Sequence, residues 1–160
     1  MTNDSVLPEH ADSGSFAHLG HGAHGGRHRT RVQYLLAGDE TVLAEIQALA
    51  ATLPLCATGR IFVEVASEAD VFELSAPPRM TVTWLARSTR RGSVGSGRAC
   101  ARGEAVSRAA RAWASEMLCD DPESAHIWLG GDERGVTETY RHLTVGLDIL
   151  PDHIHGAARA

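Results

Sequence analysis

The chain has 160 residues and a formal charge of −5, room for one ordinary domain with its own core and too little for two enzymatic domains of usual size. All 15 basic residues are arginine, and the acidic balance argues against a nucleic-acid binder, which carries a basic excess on one face. No apolar segment stands behind a basic amino-terminal cap and no run reaches the ~18 apolar residues of a membrane span, so a cytoplasmic protein without membrane contact is expected.

Residues 1–29 read as a tail. They are mostly Ser, Gly, Asp, Ala and His without periodicity, a composition that buries too little apolar surface to offset the entropy of ordering. Five of the nine histidines lie here, His10, His18, His21, His24 and His28. Imidazoles at such spacing suit Zn²⁺ or Ni²⁺, but without a preformed shell the binding is weak and unselective. Incidental tail and metal-handling segment are both open readings.

The ordered domain spans residues 30–160. Residues 31–37 form a first strand, and from Asp39 the pattern turns helical, with Val42, Ile46, Leu49 and Leu53 on one face until Pro54. Residues 61–66, Ile-Phe-Val-Glu-Val-Ala, are the kind of strand buried on both faces of a parallel sheet. A loop over 67–79 crosses to a third strand at 80–85. Arg87, Arg90 and Arg91 follow at once, then the flexible run 92–97. A long helix is predicted over 99–119, with Val106, Ala110, Trp113 and Met117 on its face. A fourth strand at 126–130 leads into a helix carrying Val136, Tyr140, Leu143 and Leu147, and a short fifth strand is expected near 153–156. This alternation predicts an α/β fold, a single doubly wound and mainly parallel sheet of Rossmann-like architecture.

Two strand-to-helix turns share one grammar: Ala37-Gly38-Asp39-Glu40 and Gly130-Gly131-Asp132-Glu133. In an open α/β sheet such turns lie at the carboxyl ends of strands, where ligands bind. Each Asp-Glu pair can be a helix cap that also complements the dipole, or a pair of catalytic carboxylates; capping is the simpler account. Arg87, Arg90 and Arg91 can grip a phosphate with their planar forks, or form a solvated loop. Neither a Gly-x-Gly-x-x-Gly after a strand nor a Gly-Lys-Ser/Thr is present. The 92–97 run reads as a connector rather than a phosphate cradle. Cys56, Cys100 and Cys119 have neither redox-pair nor zinc spacing and fit a reduced compartment as small core residues. His126, His142, His153 and His155 make no metal set, and no catalytic residue can be nominated from spacing.

With both turns in view, the sequence resembles the siderophore-interacting protein family of flavin-dependent ferric-siderophore reductases, in its carboxyl-terminal nicotinamide-binding domain. The matching pieces are Tyr34-Leu35-Leu36-Ala37-Gly38-Asp39-Glu40-Thr41, Ile61-Phe62-Val63-Glu64-Val65-Ala66, Val82-Thr83-Trp84-Leu85-Ala86-Arg87, Ile127-Trp128-Leu129-Gly130-Gly131-Asp132-Glu133 and Ile154-His155-Gly156-Ala157-Ala158-Arg159. The resemblance implies a ferredoxin-reductase-like NADP domain. Gly38, Asp39, Glu40 and Thr41 with Gly130, Gly131 and Asp132 would flank the nicotinamide, and Arg87, Arg90 and Arg91 would serve the adenosine phosphate. NADPH is the implied cofactor, with NADH the alternative. The family's flavin-binding barrel has no counterpart before Arg31, and its aromatic Tyr-Trp end is missing, so a flavin would come only through a partner chain. A stand-alone oxidoreductase module of iron metabolism is the leading expectation, and a non-enzymatic interaction or regulatory module of the same fold is the alternative.

Overall fold

The structure, a computed structural model, describes residues 31–118 and 122–156. The expectations for the tail, Cys119 and residues 157–159 fall outside that range. Five strands, β1 (Gln33–Asp39), β2 (Thr58–Val65), β3 (Arg79–Ala86), β4 (Ala125–Leu129) and β5 (Ile154–Gly156), form one all-parallel sheet in the order β3-β2-β1-β4-β5. That is the order of the first five strands of the doubly wound dinucleotide fold. The chain starts at the centre, winds outward through β2 and β3, then crosses back to β4 and β5, so the order reverses between β1 and β4.

Three helices cover the two faces: α1 (Leu43–Thr52), α2 (Glu104–Met117) and α3 (Glu133–Arg141), the last continued by a π-helical segment, His142–Gly146. Side chains alternate along a strand, and β1 shows the result. Leu36 joins Ile46, Ala50, Ile61 and Val63 in a core under α1, while Leu35 and Ala37 join Phe62, Val106, Ala110 and Val136 in a second core under α2 and α3. Both faces of β1 are buried, which is why its sequence is a continuous apolar run rather than an alternating one.

Element boundaries differ from the sequence expectation for identifiable reasons. The first strand runs on through Asp39, because Gly38 and Asp39 pair with Val63 and Glu64 of β2. The second helix begins at Glu104, not near residue 99: an isolated bridge joins Arg91 to Ala99, and Gly103 takes a left-handed φ of 77° as the N-cap. Val106, Ala110 and Trp113 are buried as the spacing predicts, whereas Met117 is 48% exposed. Cys56 is exposed and Cys100 half-buried, so neither is the core residue expected. As predicted, α1 stops just before Pro54, with Leu53 extended, and the crossover over 67–78 holds only one short 3₁₀ turn, Glu68–Asp70.

Candidate functional site

At the carboxyl edge of the sheet, Asp39 closes β1 and Glu64 lies beside it in register on β2; both are fully buried. Two adjacent buried carboxylates are costly unless each is hydrogen-bonded. Asp39 accepts the Thr41 amide at 2.9 Å and the Thr41 hydroxyl, and its other oxygen accepts the Asp132 amide at 2.8 Å. Glu64 accepts the Gly103 and Val106 amides at 2.8 and 2.9 Å, at the start of α2, and a guanidinium N–H of Arg87 at 3.1 Å. Asp132 in turn accepts the Gly135 amide at 3.1 Å. The first helical turn after β1 and the starts of α2 and α3 are therefore each satisfied by one of the chain's own carboxylates.

Arg87 joins the network to the rim. It donates to both oxygens of Glu40, at 2.7 and 2.8 Å, as well as to Glu64. These bonds hold the Glu40 carboxyl below the ordinary range, chiefly through Arg87 itself, and raise Arg87, chiefly through Glu40 and then Glu64. Arg102 approaches Glu40 at 3.6 Å. By contrast, Arg90 and Arg91 are exposed with no ion pair among the described residues.

The glycines of the two turns permit close packing. A Cβ on Gly38 would lie 2.6 Å from Val42 Cγ2 and 3.2 Å from the Gly130 carbonyl oxygen, and one on Gly131, at φ 100°, would lie 2.6 Å from Asp39 Cγ. Gly130 donates its amide to the Ala37 carbonyl at 3.0 Å. Beside them, among Ala37, Val106, Gly130, Gly135 and Val136, only about 10 Å³ is free. No group of three or more metal-ligating side chains occurs among the described residues, and no helix described is long and apolar enough to cross a membrane.

A model of the siderophore-interacting protein family matches residues 32–158. The chain belongs to the siderophore-interacting protein family. Uncharacterized proteins of Mycobacterium tuberculosis and Mycobacterium bovis are 34% identical over 111 residues, which cover 68% of this chain and 36% of each relative. The siderophore-interacting protein SipS from Aeromonas hydrophila aligns with a TM-score of 0.60 and 25% identity over 79% of this chain and 50% of its own. A siderophore utilization protein from T. fusca, at 22% identity and a TM-score of 0.53 over 78% of this chain and 43% of its own, shares the fold. The chain thus spans about a third of the curated relatives' length and no more than half of these two solved chains.

Of the residues singled out in the sequence, Gly38, Asp39, Glu40 and Thr41 come together with Gly130, Gly131 and Asp132 where the strand order reverses. Arg87 reaches this cluster through Glu40, while Arg90 and Arg91 stand outside it. The Asp-Glu turns cap helices, as the simpler reading held. Glu64 joins the site although it lies in neither turn. Its signal was legible all the same: an acid inside an apolar, β-branched run must be buried, and a buried acid needs donors. The 92–97 loop is closed by the Gly92 amide on the Arg98 carbonyl at 2.9 Å, and the Glu104 carboxylate accepts Ser93 Oγ at 3.0 Å and the Ala101 amide at 3.0 Å.

These features test the fit of a nicotinamide nucleotide. The crevice proper does not take one: a pocket for such a ligand measures roughly 300 Å³ or more, and the helix starts that would bind a diphosphate already hold carboxylates. Past the end of β3, Arg90 and Arg91 are exposed without an ion pair among the described residues, while Asp39 and Glu64 are held by buried hydrogen bonds.

Proposed function

We propose that the chain is a nicotinamide-nucleotide-binding module of the siderophore-interacting family that presents NADPH, or NADH, to a flavin held by another chain. The observation that carries the reading is the reversal of strand order between β1 and β4, the place where a doubly wound sheet receives ligands, with Arg87 from the end of β3 tied to it through Glu40. The bound nucleotide supplies the hydride, and the protein supplies binding and orientation. Arg90 and Arg91 would grip a phosphate, while Arg87, tied to Glu40 and Glu64, would hold the rim in shape. The nucleotide would lie across the rim, over Gly38 and Gly131, rather than within the closed crevice.

The closed crevice favours a second reading, a non-enzymatic interaction or regulatory module of the same fold in iron metabolism. Calorimetry with NADPH and NADH, on the wild type and an Arg90→Ala, Arg91→Ala double variant, separates the two. The cofactor reading expects NADPH binding that weakens by about tenfold or more in the variant, the loss of one to two charge-assisted contacts. No heat from either nucleotide in a folded protein selects the interaction module. Metal handling by the His-rich segment is a third reading; deleting residues 1–28 would leave Zn²⁺ and Ni²⁺ affinity unchanged if that segment has no such role.

A further inference from the structure

The amino edge of the sheet, opposite the rim, carries a groove. Because β3 sits at the edge and β4 lies beyond β1, the connection from β3 to β4 must cross two strands, and α2 packs over β1 and β2. On that face the amino end of β3, at Arg79 and Thr81, stays exposed, and there a groove of about 570 Å³ opens. Gln33, Thr58 and Arg79 form one row across its floor, with Arg60 and Thr81 in register further in. Trp113 and Met117 of α2 make an apolar wall.

Three guanidinium groups, Arg31, Arg60 and Arg79, face one carboxylate, Glu116, among the lining residues. Arg31 and Arg79 are exposed and form no ion pair among the described residues. Arg60 lies with its guanidinium carbon 5.9 Å from the Phe62 ring centroid, and its Nη1 reaches Thr83 Oγ1 only at a marginal 3.4 Å. Its Nε is shielded from solvent without a hydrogen-bond partner.

We propose that this groove binds a small organic anion of two or more charges with a flat apolar body, its acid groups gripped by Arg31, Arg60 and Arg79 and its body against Trp113 and Met117. The groove is open and more polar than apolar, with one apolar wall, and guanidinium forks match carboxylate and phosphate alike. The site is separate from the nucleotide rim and does not depend on the function proposed above.

NMR titration of the full chain with naphthyl phosphate, naphthalene dicarboxylate and inorganic pyrophosphate tests it. Saturable shifts of the Trp113 indole and Thr81 amide are expected with one or both naphthyl probes, and which of them binds tells phosphate from carboxylate. Gly38 and Gly131 should stay unmoved. An Arg31→Ala, Arg79→Ala double variant, which removes only exposed side chains, should bind about tenfold or more weakly, and Met117→Ala should weaken the naphthyl probes alone. Shifts spread evenly over exposed arginines such as Arg134, undiminished affinity in the double variant, or pyrophosphate binding as tightly as the naphthyl anions would each overturn the proposal.

Discussion

The Asp39 carboxylate accepts the backbone N–H of Asp132 at 2.8 Å across 93 residues of sequence, and so fastens the end of β1 to the start of α3. The same side chain caps the first helical turn through Thr41. One buried acid thus fixes the geometry of both matching turns, and Glu64 does the equivalent for α2 and Arg87.

Replacing Asp39 with Ala should destabilise the fold by about 1.5–5 kcal/mol, the sum of a lost cap at ~0.5–2 and a buried amide left unpaired at ~1–3. Asp39→Asn keeps an acceptor oxygen and should cost less. Urea unfolding of both variants checks the order; equal losses would mean that charge, not hydrogen bonding, carries the effect.

Gly135→Ala sets two effects against each other. In an exposed helix the change gains about 1 kcal/mol from propensity. Here the new Cβ would lie 2.5 Å from the Gly103 carbonyl oxygen, a backbone atom, and overpacking of that kind costs about 1–3 kcal/mol. A net loss in chemical denaturation is expected. A more stable variant would show that α2 and α3 do not approach this closely.

The rim should weaken in acid. Glu40 titrates below its ordinary value of 4.5 in the folded chain, so it contributes stability that is present above 4.5 and lost as the pH falls through the lower folded value. Glu104 is lowered too, first by the Ala101 amide and then by Ser93, and adds to the same slope. Urea midpoints followed from neutral pH to below 4.5 should fall less steeply for Glu40→Gln than for the wild type. Superimposable slopes would remove Glu40 from the account.

The two described thiols should differ in reactivity. Burial, followed by the charge of Glu64, pushes the Cys100 thiol up, while Cys56 is exposed. Since the thiolate is the nucleophile, iodoacetamide at about pH 8 should modify Cys56 well before Cys100 by peptide mass mapping. Faster labelling of Cys100 would show that its loop opens.

The sequence by itself determined the periodic features: which runs become strands or helices, that the sheet is parallel, and that two Asp-Glu turns cap helices at its carboxyl edge. These follow from local rules, since apolar alternation, caps and proline act within a few residues. Family membership was legible in the same way, from motifs in order along the chain. Only the tertiary structure decided what the charges do. Arg87 looks like a free phosphate ligand in sequence, yet it is bound by Glu40 and Glu64 from two other strand ends, 47 and 23 residues away. Arg60 and Arg79 look unrelated until strand register brings them, with Arg31 just before β1, to one groove. A charge acts through its neighbours in space, and spacing along the chain does not encode them.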